Sequence, residues 1–241
     1  MWPLGRLSGE FPDTPPDLRP RGVARRPSPR SLNHVSDFEQ LAAALDLRGK
    51  TIVDVGCGDG AFVRRLRAAG ADAIGIEVSA DAVAHARAAD LDGCYLRGTA
   101  EALPLEDASV DIATLMLSLH HVPDPRAAFP ELARVVREHV WIAEPLPHGD
   151  FFELMRPVDD ETAVRANAQR ALAAQTHFEP EATTHYDVTF AIDSFDEFKR
   201  RVLAADPERT ARFTRLEAAL RRAFTPGDFT VPMRADLLRR R

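Results

Sequence analysis

Thr51-Ile52-Val53-Asp54-Val55-Gly56-Cys57-Gly58-Asp59-Gly60 is a short apolar run that breaks into three glycines at alternate positions. Ile52, Val53 and Val55 are β-branched and the run is too short for a helix, so it predicts a buried parallel strand covered on both faces. Glycine at 56, 58 and 60 permits a tight turn and lets the backbone approach a ligand closely, which any Cβ would obstruct. A helical pattern begins at Ala61. Strand, glycine turn and helix start together aim amide N–H groups outward, where they favour a negative group.

Three readings of this stretch are open. Gly56-x-Gly58-x-x-Ala61 fits the dinucleotide fingerprint, with Glu77 near the distance of a ribose-binding acid. A structural turn with no ligand is the plainest alternative, although three permissive glycines each lower stability unless something requires them. The fuller string Asp54-x-Gly56-x-Gly58-x-Gly60 resembles motif I of the class I S-adenosylmethionine-dependent methyltransferases, in which a carboxylate precedes the glycines.

The downstream chain separates these readings. Ala73-Ile74-Gly75-Ile76-Glu77 predicts a second strand, and an acid at its carboxyl end falls beside the glycine turn in a doubly wound sheet. Ser79 caps a further helix. Gly98-Thr99-Ala100-Glu101-Ala102-Leu103-Pro104-Leu105 is similar to the segment that follows the third strand in the methyltransferases and lies along the adenine, which counts against the dehydrogenase reading. Thr99 departs from the aspartate of many relatives, leaving its hydroxyl or the backbone at Ala100 and Glu101 to meet the adenine amino group. Val110 to Leu117 is a fourth strand, followed by Ser118-Leu119-His120-His121-Val122-Pro123. A His-His-Val-Pro-Asp-Pro stretch after this strand resembles the small-molecule, ubiquinone-biosynthesis-like methyltransferases, where it lines the site between cofactor and acceptor.

The resemblance implies a Rossmann-like doubly wound α/β fold with a seven-stranded sheet, mostly parallel with an antiparallel last strand. It implies S-adenosyl-L-methionine as cofactor, held by Asp54, Gly56, Cys57, Gly58, Gly60, Glu77, Val78, Thr99, Ala100, Glu101 and Leu117. Methyl transfer asks the protein for alignment, exclusion of water and, for a proton-bearing acceptor, a base. His121, His120, Glu144 and His148 are the candidates for that base, His121 first because imidazole needs little tuning near pH 7. A metal is not expected, since adjacent side chains diverge. Phe151, Phe152 and Met155 follow Gly149 and, with His148, are the expected acceptor contacts; simple crossover packing of the segment 150–178 is the alternative.

The remaining elements are expected as follows. Ser36-Asp37-Phe38-Glu39 has capping-box form and opens an amphipathic helix. A helix over about 125–138 is expected to kink or lose its first turn at Pro130, with a loop at Arg137-Glu138-His139 before a fifth strand at Val140-Trp141-Ile142-Ala143. Thr183 to Ile192 alternates as a strand, and Phe229 to Met233 is the last, where Pro232 suits an edge or a terminus better than an interior position.

Composition narrows the class. At 241 residues and 45% hydrophobic content the chain can bury one sizeable α/β core. Its formal net charge of −6 argues against a general nucleic-acid binder. No apolar run is long enough for a membrane span and no secretory h-region is present, so a cytoplasmic location is expected. Cys57 and Cys94 make no disulfide framework. Residues 1–30 interleave proline with arginine and read as a disordered arm, and residues 31–241 as the domain, with its cofactor core over about 48–145 and its acceptor cover from 146 onward. The expected function is methyl transfer to a small-molecule acceptor; a non-catalytic methyltransferase-like binding or regulatory protein is the alternative, motivated by Thr99.

Overall fold

The computed structural model describes residues 36–205 and 207–241. The expected arm at 1–30 lies outside them. Chain order is α1 (Asp37–Ala44), β1 (Thr51–Val55), α2 (Ala61–Ala68), β2 (Asp72–Glu77), α3 (Ala80–Ala89), β3 (Cys94–Arg97) and β4 (Val110–Met116). It continues with α4 (Pro125–Val135), β5 (Val136–Pro145), α5 (Asp150–Met155), α6 (Thr162–Ala174), β6 (Phe178–Ile192), α7 (Phe195–Ala205), α8 (Thr210–Ala223) and β7 (Gly227–Arg240).

The strands form one seven-stranded sheet in the order β3-β2-β1-β4-β5-β7-β6. The first five are parallel, and β7 runs antiparallel to both β5 and β6. Ile52, Val53 and Val55 are buried at the centre, as a strand covered on both faces requires. The order runs outward from β1 through β2 to β3, then returns to place β4 on the other side of β1. That reversal opens a crevice at the carboxyl ends of β1 and β4, the place where such sheets bind ligands.

Local chemistry sets several boundaries. Ser36 Oγ accepts from Glu39 N–H at 3.4 Å while Glu39 Oε2 accepts from Ser36 N–H at 2.6 Å, completing the capping box of α1. Tyr186 on β6 donates to Asp37 at 2.6 Å and ties α1 across the sheet. Gly70, with φ +94°, ends α2.

Three expectations are corrected. The helix α4 stops at Val135, and Val136 already pairs with Val110 as the first residue of β5, so no loop exists at Arg137 to His139. Its first turn is intact and the helix continues through Pro130; that residue and Arg126, one turn earlier, are both exposed, so a carbonyl left without its N–H partner is met by water. Pro232 lies in β7, an interior strand of the sheet. The β5–β7 register ends at Pro145 and Met233; beyond it Pro232 pairs with Asp187 of β6 and its carbonyl accepts from Leu146 N–H at 2.8 Å, so proline keeps the acceptor used on the β5 side and the ladder there has already ended where its missing N–H would fall.

Two apolar clusters fill the faces of the sheet, one around Phe129, Leu132, Val140 and Leu172, the other around Leu41, Ile52, Leu66 and Trp141. A third is built almost wholly of α5, α7, α8 and the adjoining ends of β6 and β7, with Phe195, Phe198, Phe213 and Phe229 at its centre. Strand β6 forms one outer edge of the sheet and is exposed over most of its 15 residues.

Candidate functional site

The glycine turn is fixed from below. Gly56 and Cys57 N–H donate to the Ile76 carbonyl at 2.8 and 3.1 Å, pinning the end of β1 to β2. Gly56, Gly58 and Gly60 all have positive φ, +82°, +55° and +78°. A Cβ at Gly56 would stand 2.5 Å from Ser118 Cβ, and one at Gly60 would stand 2.5 Å from the Tyr95 ring. At Gly58 it would meet nothing within 4 Å. Two of the glycines therefore serve close packing, and the third borders open space.

Glu77 at the end of β2 supports the same turn. Its Oε2 accepts from Gly58 N–H at 3.1 Å and its Oε1 from Ser79 N–H at 2.9 Å, leaving lone pairs on both oxygens. Asp54 lies beneath, 2% exposed, and accepts from Thr114 Oγ1 at 2.7 Å. Burial pushes its pKa up to about 7; the Thr114 hydrogen bond opposes the shift, and the Glu77 charge adds to it. The Cys57 thiol is pushed up to about 12, chiefly by burial, so it is no nucleophile at neutral pH.

The raised Asp54 pKa has a consequence for stability. Between the carboxylate's unfolded pKa of about 4 and its folded value of about 7, the folded state binds the extra proton. Stability contributed by this group is therefore full below about 4 and falls as pH rises to about 7. Asp54→Asn keeps an acceptor for Thr114 and is expected to flatten that fall, measured as denaturation midpoints from pH 4 to 8.

Above the turn lies a cavity of ≈ 670 Å³, within the usual range for small-molecule sites. Gly56, Glu77, Val78, Thr99, Ala100, Glu101 and Leu117 line it, so seven of the residues expected to hold the cofactor share one wall. Asp54, Cys57, Gly58 and Gly60 shape the turn without belonging to that lining. Among the described residues the exposed large apolar side chains are Val78, Leu91, Leu117 and Val164, and all but Leu91 line this cavity. Leu117 is held at φ +55°, a strained conformation for a non-glycine residue that clusters at functional sites. Exposed apolar surface beside an acid with free lone pairs suits an adenosine: a flat heteroaromatic ring over Val78 and Leu117, and ribose hydroxyls at Glu77.

The opposite end is formed by the turn after β4. Ser118 Oγ donates to the Val55 carbonyl at 2.7 Å, and Leu119–His121 close a single 3₁₀ turn. His120 is 6% exposed and its Nδ1 is hydrogen-bonded to Glu144 Oε2 at the end of β5. Glu144 Oε1 accepts from Leu119 N–H at 2.8 Å. A carboxylate so placed fixes the ring and puts the proton on Nδ1, leaving the basic lone pair on Nε2. His121 is exposed at the rim; crowding by the protein and the neighbouring His120 hold its pKa below the ordinary imidazole value.

Several expectations change here. Glu144 is 2% exposed and does not line the cavity, so it orients His120 instead of meeting an acceptor. The expected acceptor contacts are elsewhere. Phe151 packs on Phe190, Phe198 and Phe229, Met155 joins the same cluster, Phe152 lies under the Arg165 guanidinium, and His148 is exposed outside the cavity lining. Phe151 and Met155 belong to the third apolar cluster, which their position after Gly149 did not reveal. Val164 and Asn167 of α6 close the cavity in their place, beside Val122 and Pro123. The sequence carried only a weak signal for them, an apolar and an amide residue one turn apart on a helix.

Residues 53–143 match the family described as "Methyltransferase domain". An uncharacterized methyltransferase of Mycobacteroides abscessus is 39% identical over 112 residues, 44% of this chain and 43% of its own length. A ubiquinone biosynthesis O-methyltransferase of Methylococcus capsulatus is 38% identical over 102 residues, 40% of this chain and 43% of its own. The chain thus spans less than half the length of these curated relatives. The crystal structure of the YcgJ protein from Bacillus subtilis superposes with a TM-score of 0.60 at 22% identity, covering 84% of this chain and 97% of that one, which establishes a shared fold.

Proposed function

We propose, from the premise that residues 53–143 belong to the Methyltransferase domain family, that this protein is an S-adenosylmethionine-dependent methyltransferase acting on a small molecule. The observation that carries the reading is the continuity of one cavity, from Glu77 and the glycine turn at one end to His120 and His121 at the other. Thr99, Ala100 and Glu101 line it, which supports a retained cofactor side despite the departure at Thr99 and weighs against the non-catalytic alternative. On this reading residues 31–241 act as one unit, the cofactor core followed by the acceptor side.

When bound, the cofactor supplies a methyl group on a positively charged sulfur, which is already activated for displacement. The chain's own residues supply position. Glu77 would accept from the ribose hydroxyls and Val78 and Leu117 would offer apolar surface to the adenine, while Val164 and Asn167 border the acceptor side. An oxygen acceptor is supported by the ubiquinone biosynthesis O-methyltransferase similarity and by two imidazoles where an acceptor's proton has to be handled. Among the described residues no helix is long and apolar enough to cross a membrane.

Thermal unfolding with S-adenosylmethionine, S-adenosylhomocysteine and, as control, NAD tests the cofactor. Ligand at a hundred times its dissociation constant stabilises by about 2.7 kcal/mol, a rise in melting temperature of about 5–10 °C for a domain of this size. A rise with the two sulfur cofactors and none with NAD is expected. Transfer of labelled methyl to a panel of hydroxylated small molecules then tests the acceptor class. No rise with either sulfur compound, or a rise with NAD alone, overturns the reading.

A further inference from the structure

The expectation that adjacent histidines diverge fails in this structure. The 3₁₀ turn brings the His120 and His121 rings to 4.0 Å between centroids. Glu161, at the start of α6, comes from the other side of the site. One nitrogen of each imidazole and one Glu161 carboxylate oxygen all lie within 4.8 Å of one another.

We propose that His120, His121 and Glu161 bind a zinc-type divalent cation at the acceptor end of the cavity, which the two histidines line and Glu161 approaches from just outside that lining. Two histidines and a glutamate are a donor set for four-coordinate zinc that leaves the fourth position to substrate. Zinc distances of about 2.0–2.1 Å call for donors spaced by about 3.3 Å, so the three side chains have to draw together on binding.

Two of the three donors already have the outer partners that orient metal ligands. Glu144 holds Nδ1 of His120. Arg165 places Nη2 at 2.6 Å and Nε at 3.0 Å from Glu161 Oε2, while its own Nη1 donates to the Leu146 carbonyl at 2.9 Å. Among the described residues Glu161 Oε1 accepts from Arg209 Nη2 at 3.3 Å, longer than that guanidinium's bonds of 2.6 and 2.8 Å to Asp159. A cation on Oε1 would compete with that long contact while the Arg165 pair holds Oε2.

The inference rests on the methyltransferase reading for its role and names the acceptor as a hydroxyl compound. With the cation bound, the two imidazoles would be ligands and not the base: a hydroxyl at the fourth position would give up its proton to solvent near neutral pH because the cation stabilises the oxygen's charge. Its lone pair would then form the new O–C bond as the S–C bond breaks, and that electron pair would stay on sulfur.

The test uses tag-free, chelator-treated full-length protein titrated with Co²⁺, followed by visible absorption and metal analysis, with Zn²⁺ as competitor. One Co²⁺ per chain with four-coordinate absorption bands, displaced by Zn²⁺, is expected. His121→Gln and Glu161→Gln should each weaken binding at least 10-fold while retaining the melting rise with S-adenosylmethionine. Because Glu161→Gln also loosens an arginine network, His121→Gln at the exposed rim is the deciding variant. Absence of stoichiometric Co²⁺, or equal binding by His121→Gln, overturns the proposal. The cofactor reading is judged separately by the melting rise without metal.

Discussion

Gly56→Ala is expected to bind S-adenosylmethionine at least about 100-fold more weakly than the unaltered protein, a loss of about 2.7 kcal/mol, and to melt well below it. The backbone at 56 has φ +82°, and the added Cβ would sit 2.5 Å from Ser118 Cβ. Left-handed strain costs about 1–2 kcal/mol and overpacking about 1–3 kcal/mol, together a fall in melting temperature of about 5–15 °C. Ser118 cannot yield freely, because its hydroxyl is bonded to the Val55 carbonyl and its turn carries both histidines. The clash thus disturbs both ends of the cavity. Gly58→Ala is the paired comparison. It carries strain but no contact within 4 Å, so its melting temperature should fall by only about 2–8 °C while it still loses cofactor affinity. Calorimetric melts and titrations on both variants check this; wild-type affinity in Gly56→Ala would contradict the rigid coupling of turn and Ser118.

Glu144→Gln is expected to lower kcat by about 10–100-fold, as losses of such orienting carboxylates do, with cofactor affinity unchanged. The reasoning is a count of donors and acceptors. Glu144 accepts from two N–H groups, Leu119 N–H and His120 Nδ1–H. A glutamine offers one oxygen and one NH₂, so either a buried donor goes unpaired or the imidazole moves its proton to Nε2. The second outcome removes the lone pair from the cavity side. Nitrogen NMR of His120 separates them, the altered tautomer being the expected signature. A variant with unchanged tautomer and full activity would show that Glu144 merely fills space.

Local motifs were legible where their physics is local. The strand before Gly56, the helix after Gly60, Glu77 at the end of β2 and the serine caps at Ser36 and Ser79 depend on neighbours within a few residues, and all appear as expected. The direct passage from α4 to β5 was not legible, because Val135 and Val136 fit a helix face and a buried strand equally well. The pairing of His120 with Glu144 spans 24 residues and is created by the parallel alignment of β4 and β5. Glu161 stands four residues before Arg165, a spacing that reads as an ordinary surface ion pair. The phenylalanines at 151, 195, 198, 213 and 229 belong to four separate elements, so no single periodicity announced that they share one cluster.

The outer strand β6 bears on how the protein survives at high concentration. Among the described residues β6 is a 15-residue strand at the edge of the sheet, the kind of edge whose free peptide groups could template aggregation of another unfolded or partly folded chain. Here the edge is spoiled near one end. Pro180 removes a donor, the register slips between Pro180 and Ala182, and the carboxylates of Glu179, paired with Arg239 at 2.6 Å, and Glu181, 3.2 Å from His139 Nε2, flank it with charged side chains. Asp187 adds a further carboxylate midway along the strand. At the opposite edge β3 has only 4 residues, too short a template to extend. The sheet that holds the site open between β1 and β4 is thus protected at both margins, and substitutions at Pro180 or its flanking glutamates would be felt as lost solubility long before they reached the chemistry.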